Sequence, residues 1–434
     1  MDTDTPQTAI DHIHALGRFS GAPGLHRIRA LCAALGDPQD KLRFVHLAGT
    51  NGKGSTACMI ASALQAAGLR TGLYTSPYLV QFHERIRVDG ATIPDGDLTR
   101  LAAQVAQACR GLTLPAGESI GAFEFTTALA FLYYVEQSCD IVVLETGLGG
   151  RYDATNIIRA SEVCVLTPIA RDHMAVLGDT VAAIAGEKAA IIKPASAVVC
   201  AGDQPPAAQI VLRRACDAQG AVWYTGTPDC RVLRSTIEGT AFLYEGQGYT
   251  IAMPGRHQVG NALTALRSLA ALRERGWTIP VEAAVRGLAR ARLPGRLERV
   301  CDQPLILLDG AHNAAGVEAL AAAVDELLRM RRLHVIMGMV RDKEYEVCVR
   351  RMAQCADVFY ACMPPADDRG LSEHMVAALA EQACDEVYDC RTVGEALAQA
   401  IGRAAPRDCI LVCGSLFLVG EAEKIFHARQ KPAE

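Results

Sequence analysis

Residues 49–56, Gly49-Thr50-Asn51-Gly52-Lys53-Gly54-Ser55-Thr56, set glycines, a lysine and hydroxyls in the order that phosphate binding demands. Glycines let the backbone turn and bring its N–H groups close to an anion, and a helix starting directly after the loop adds its positive dipole end. Lys53 stands where it reaches the outer phosphates, and Ser55 or Thr56 where a hydroxyl can hold magnesium. The strict pattern G-x-x-x-x-G-K-[ST] is not met. Leu47 replaces the first glycine, and Gly54 pushes the hydroxyls one place on. A plain glycine-rich turn is the alternative, but strand, lysine, hydroxyls and helix in this order favour a phosphate loop.

Three further segments end apolar runs with polar residues: Ser76 in Tyr74-Thr75-Ser76-Pro77, Glu145 after Ile141–Leu144, and His173 after Val163–Leu166. In an open parallel sheet ligands gather at the carboxyl ends of the strands, so these three are expected beside the phosphates. A hydroxyl, a carboxylate and an imidazole there suit magnesium or a similar ion. Singly, each has a bland reading as a turn, a cap or a hydrogen-bonded histidine. Lys188, at an apparent helix start among apolar neighbours, reads from pattern alone as a solvated or snorkelling lysine. Arg296 follows Leu293-Pro294-Gly295, and Asp309-Gly310-Ala311-His312-Asn313 ends another apolar run, where a helix-capping turn is the alternative.

The elements that must position these groups alternate strand and helix, which predicts an α/β protein with largely parallel sheets. Phe44–Ala48, Thr71–Tyr74, Ile141–Leu144 and Glu162–Leu166 read as strands, and helices are expected over Asp97–Cys109, Phe125–Gln137 and Asn261–Arg275. From Val222 to Met253 glycine, threonine and aromatics predict a small antiparallel section of the first domain. Pro294-Gly295 is the expected joint, giving domains 1–295 and 296–434. Strands at Leu305–Leu308, Leu333–Met337, Val358–Ala361 and Cys409–Cys413 make the second a smaller doubly wound domain.

The chain has 434 residues, half of them hydrophobic, enough for two or three cores, and a net charge of −5 that gives no reason to expect nucleic acid. Met1-Asp2-Thr3-Asp4-Thr5 lacks the character of a signal peptide, and no apolar run is long enough to cross a bilayer. The sixteen cysteines are scattered, without a C-x-x-C pair. Reduced thiols in a soluble cytoplasmic protein, without zinc, are the expectation.

The motifs together resemble the folylpolyglutamate synthase/dihydrofolate synthase branch of the Mur ligase superfamily, nearly end to end. The resemblance rests on Gly49–Thr56, Ser76-Pro77-Tyr78-Leu79, Phe123-Glu124-Phe125, ETGLGGRYDATN at 145–156, Asp172-His173, Glu187-Lys188, Leu293–Arg296 and Asp309–Asn313. It implies a P-loop ATPase domain with a mostly parallel sheet and a smaller Rossmann-like C-terminal domain. It also implies an ATP- and Mg2+-dependent ligase that adds L-glutamate to folates, and to dihydropteroate, through an acyl phosphate. Domain closure would bring glutamate to that acyl phosphate and keep out water. A monomer is implied too.

By matched position, Thr50, Asn51, Gly52, Lys53, Gly54, Ser55 and Thr56 would hold the phosphates, and Ser55, Ser76, Glu145 and His173 the magnesium. Lys188 matches a lysine that family members carry as a carbamate, which displaces the solvated reading. Asn261, Arg296 and Asp309 match nucleotide contacts, and His312 and Ser415 residues near glutamate. Lys53, Lys188 and His312 are the residues implied in catalysis. Phe123 with Tyr152, Asp153 and Ala154 matches the region that receives the pterin. Phe125 and Tyr152 stand where relatives often have tyrosine and leucine, which bears on folate preference. Two rival readings are a cell-wall Mur ligase, for which no extra N-terminal UDP-binding domain is apparent, and a nucleotide-binding regulator with a decayed site, against which the intact motif residues argue.

Overall fold

A computed structural model describes residues 5–17, 21–224 and 230–430. The reading of Met1–Asp4 therefore lies outside the described residues, as do positions 225–229 of the expected antiparallel stretch. The described chain forms two compact units. The first takes Met1–Ile169, Asp179–Pro228 and Gly260–Ala291, and the second takes Ala170–Gly178, Asp229–Val259 and Arg292–Glu434.

In the first unit eight strands make one sheet: β1 (Phe44–Ala48), β2 (Thr71–Tyr74), β3 (Ile86–Val88), β4 (Ala91–Thr92), β5 (Ile141–Glu145), β6 (Val163–Leu166), β7 (Ala197–Cys200) and β8 (Val222–Tyr224). Their order is β4-β3-β2-β5-β1-β6-β7-β8, parallel except for the two antiparallel pairings of the β2-β3-β4 edge. Strand β1 is buried at every position and lies between β5 and β6, as a continuous apolar run should in a sheet covered on both faces. The chain leaves β1 for β2 on one side and reaches β6 on the other, so strand order reverses at β1 and a crevice opens at its carboxyl end. One face of the sheet is covered by the helices Pro6–Ala15, His26–Ala34, Asp95–Arg110 and Ala122–Glu136, which share a core with Phe44, Tyr74, Val142 and Leu144.

The second unit holds an antiparallel sheet, β9 (Cys230–Thr236), β10 (Gly239–Tyr244) and β11 (Gln247–Ile251), ordered β11-β10-β9. A six-stranded sheet follows: β12 (Glu298–Asp302), β13 (Leu305–Leu308), β14 (Leu333–Met337), β15 (Val358–Ala361), β16 (Val387–Asp389) and β17 (Cys409–Cys413). Its order is β12-β13-β17-β14-β15-β16, with only the β12 edge antiparallel. The antiparallel piece was expected as part of the first domain, but its contacts lie with the second unit. Ile237, in the β9–β10 turn, packs on the second unit's core, and Glu238 lies 3.9 Å from Arg299 of β12. None of the sixteen cysteines is paired in a disulfide. Among the described residues no helix is long and apolar enough to cross a membrane.

Candidate active site

The loop after β1 is shaped by two glycines. Gly49 (φ 158) and Gly52 (φ 81) have backbones that a side chain would not fit. A Cβ on Gly49 would lie 1.8 Å from Thr167 Oγ1, and one on Gly52 2.2 Å from Asn261 Oδ1. Thr50 and Asn51 donate their N–H groups to Pro168 O at 2.9 and 3.3 Å, which pins the loop to the end of β6. The helix Lys53–Ala66 starts at Gly52 without a side-chain cap, and its first backbone bond is Thr56 N to Gly52 O. The N–H groups of Lys53, Gly54 and Ser55 are thus the unclaimed donors that every helix N-terminus offers an anion. Lys53 Nζ curls back to Gly49 O (3.1 Å) and Thr50 O (3.2 Å), over the same turn.

Glu145 closes β5 beside this loop, paired in register with Leu47, and is buried. It accepts the Ser76 N–H at 3.1 Å, so Ser76 and Glu145 do converge. Ser55 and Thr56 are buried too, and Thr56 Oγ1 has no hydrogen-bond partner among the described residues. Carboxylate and hydroxyl oxygens form a hard donor set, and an orphaned buried hydroxyl at a phosphate loop fits a magnesium-bearing nucleotide. Asn261 is buried against Gly52.

Lys188 is buried, 4% exposed, and donates from Nζ to Gly49 O at 2.7 Å. The solvated reading of this lysine is therefore wrong. Thr180 caps its helix, Val181–Ala189, whose last turn packs on the 145–156 loop. A Cβ on Gly150 would meet Glu187 O at 2.7 Å, and Arg151 donates to the Glu187 carboxylate at 2.9 Å.

The ETGLGGRYDATN segment holds itself together. Asp153 Oδ2 accepts from Gly147 N and Leu148 N (both 2.9 Å), and Oδ1 from Thr155 N (3.0 Å) and Thr155 Oγ1 (2.5 Å). Burial raises the Asp153 carboxyl, and these donors pull against that rise. Asn156 donates to Arg151 O and Ala190 O and accepts Lys193 Nζ at 2.7 Å. Ala154 is buried, whereas Tyr152 is 54% exposed. The Phe123 ring lies against Gly147, 2.7 Å from where a Cβ would stand, and 5.9 Å from the Tyr74 ring.

In the second unit Asp172 is the hub. Lys343 Nζ pairs with its Oδ1, Asn313 Nδ2 donates to Oδ2 at 3.0 Å, and His312 Nε2 lies 3.8 Å away. Burial alone would raise the Asp172 carboxyl. The Lys343 ammonium, by its charge and its hydrogen bond, outweighs it and holds the group well below the usual carboxylate range. His312 Nδ1 donates to Gly310 O at 2.7 Å, leaving Nε2 as the bare nitrogen. Burial, and then the Lys343 charge, push its pKa down, so the ring is neutral at pH 7. His173 sits in the left-handed region (φ 52) before a short helix, and its Nε2 accepts from Lys343 at 3.4 Å.

Asp309, at the end of β13, accepts Leu297 N and Ala311 N at 2.9 Å each and so ties down the 295–297 turn that carries Arg296. Arg296 Nη1 reaches Gly295 O (2.9 Å). Ser415 is buried and accepts Phe417 N at 3.2 Å, at the start of the last helix.

Residues 47–269 match the Mur ligase middle domain and residues 295–416 the Mur ligase glutamate ligase domain. The chain is 35% identical to a folylpolyglutamate synthase of Lacticaseibacillus casei, over 94% of this chain and 96% of the relative. It is 34% identical to a dihydrofolate synthase/folylpolyglutamate synthase of Bacillus subtilis, over 96% and 98%. The chain belongs to the Mur ligase family, in its folylpolyglutamate synthase/dihydrofolate synthase branch. The fold agrees with a solved structure of E. coli FolC in complex with DHPP and ADP, at a TM-score of 0.87 and 29% identity, covering 99% of this chain and all of that one (100%). As a Mur ligase family member the chain is an enzyme of the ligase class.

Sequence reasoning missed several residues that hold these segments in place. Lys343 follows β14 at its carboxyl end, so the rule that singled out Glu145 and His173 would have found it. Arg27 is buried, with Nε 3.2 Å from Glu124 and Nη1 3.1 Å from Glu118, and it also donates to Ala22 O. It thereby fixes the 22–27 segment beside the helix that carries Phe123, yet a lone arginine in a short helical stretch carries no such signal. His46 was visible as one polar residue in an apolar strand.

Proposed function

We propose that this chain is an ATP-dependent ligase that joins L-glutamate to the carboxylate of folates and of dihydropteroate, through an acyl phosphate. The observation that carries the reading is the phosphate loop with its open helix N-terminus and, one strand away, the buried Glu145 leading directly into the 146–156 loop.

The N–H groups of Lys53, Gly54 and Ser55 hold the ATP phosphates, and Lys53 Nζ swings from the loop carbonyls to the outer ones. Ser55, Ser76, Glu145 and His173 are proposed to hold Mg2+, which when bound neutralises charge on the transferring phosphoryl group. Asn261, Arg296 and Asp309 are assigned to the nucleotide. Lys188 is assigned as the carbamate-bearing lysine. As the free amine it is a buried donor beside the phosphate loop, and carbamylation would replace that donor with a carboxylate. Phe123, Tyr152, Asp153 and Ala154 form the proposed pterin region, Asp153 by holding the loop.

The acceptor carboxylate attacks the γ-phosphate and ADP leaves. The amine of L-glutamate then attacks the acyl carbonyl, phosphate departs, and the amide forms. His312 and Ser415 are placed near glutamate. A neutral His312 with a bare Nε2 can take the proton that the amine must lose. We also propose a monomer working in the cytoplasm, in keeping with sixteen cysteines outside any disulfide.

The test is ADP release by purified protein with each acceptor in the presence and absence of L-glutamate. Release that needs both substrates supports the reading, and none with any pair overturns it. Lys53→Ala should abolish turnover, whereas a regulator would keep its partner contacts.

A further inference from the structure

His46 stands in the middle of β1, fully buried, three residues before the phosphate loop begins. Its Nε2 lies 2.8 Å from Thr155 Oγ1, and that hydroxyl lies 2.5 Å from Asp153 Oδ1. Thr155 is itself fully buried. Gly147 N, Leu148 N and Thr155 N all donate into the Asp153 carboxyl group, which is the setting of a carboxylate; a carboxylate only accepts, and a hydroxyl has one proton to give. Thr155 therefore donates to Asp153 and must accept from His46. This fixes His46 as the Nε2–H tautomer. Its Nδ1 has no hydrogen-bond partner among the described residues, which agrees with a ring carrying a single proton.

The other end of the chain is the backbone of the 146–150 loop. Asp153 Oδ2 holds Gly147 N and Leu148 N, and the Gly147 backbone is the surface against which the Phe123 ring rests. A buried histidine with an orphaned nitrogen is dearer than an apolar residue at the same place. What it supplies is direction: one donor that orients Thr155, and through it Asp153.

We propose that Thr155 and His46 are positioning residues for the folate or pteroate acceptor, acting as a one-way relay, His46 to Thr155 to Asp153, that sets the 146–150 loop against Phe123. The inference rests on the function proposed above for what that loop receives. The tautomer it requires can be measured without any substrate.

Two experiments on the full-length protein test it. Nitrogen NMR of histidine-labelled wild-type enzyme should show His46 protonated on Nε2 and bare on Nδ1, and the opposite tautomer overturns the relay. In steady-state kinetics Thr155→Val, which keeps the shape and loses the hydroxyl, should raise KM for the acceptor about tenfold while KM for ATP and kcat stay within about twofold. Thr155→Ser should restore the acceptor KM. A purely structural role would instead lower kcat with the fraction of active enzyme and leave the acceptor KM unchanged, which overturns the proposal. If Thr155→Val does not fold, the wild-type tautomer still decides. Should wild-type protein release no ADP with any acceptor and glutamate, the functional reading falls, and the tautomer measurement continues to judge the relay.

Discussion

Lowering the pH from 7 to 5 should weaken the first unit through one residue, His46. Burial, and then the Lys193 charge, push its pKa from 6.5 down to about 3. The ring is 0% exposed, so solvent screening does not reduce the effect. In the unfolded chain the ring takes a proton near 6.5, and in the folded protein it stays neutral far below that. A lowered histidine pKa thus adds stability that is complete above pH 6.5 and drains away as pH falls toward 3. At pH 5 the unfolded ring has gained about 1.5 pH units of protonation free energy, so the loss is about 2 kcal/mol. His46→Gln removes the titration and keeps an N–H to donate to Thr155. Urea unfolding followed by tryptophan fluorescence reports on the right unit, because Trp223 and Trp277 are the only tryptophans and both lie in it. The wild type should lose about 2 kcal/mol more than the variant between pH 7 and 5. Equal losses would refute the assignment of a buried, neutral His46.

Gly52→Ala places a Cβ at φ 81 and 2.2 Å from Asn261 Oδ1, and should cut kcat/KM for ATP about a hundredfold in steady-state assays. Lys343→Met leaves the buried Asp172 carboxylate (8% side-chain exposure) without its cation, and should destabilise the second unit by about 3–5 kcal/mol in denaturant titrations. Adding Asp172→Asn to that variant should recover part of the loss. Chelation should abolish turnover and Mg2+ restore it, and Glu145→Gln should raise the Mg2+ concentration needed for half-maximal rate by about tenfold.

Strands were the most legible part of the chain. Leu305–Leu308, Leu333–Met337, Val358–Ala361 and Cys409–Cys413 have the expected bounds, since a strand buried on both faces reads as an unbroken apolar run. Strands at or next to the sheet edges were not legible: β3, β4, β12 and β16 are partly exposed and patterned by their partners. The phosphate loop announced itself because its chemistry is local. Lys188 did not, because its burial comes from the distant carbonyl of Gly49. The Asp172–Lys343 pair spans 171 residues of sequence, and no short-range pattern records it. The 145–156 segment could be matched to a family, but that Asp153 spends its oxygens on its own loop needed coordinates.

The central claim, activation of an acceptor carboxylate by ATP, is tested most directly by a heavy-oxygen label in that carboxylate. With ATP, L-glutamate and labelled folate or dihydropteroate, the account predicts label in the released phosphate, in step with ADP and the glutamylated product. ADP and product formed with unlabelled phosphate would contradict it.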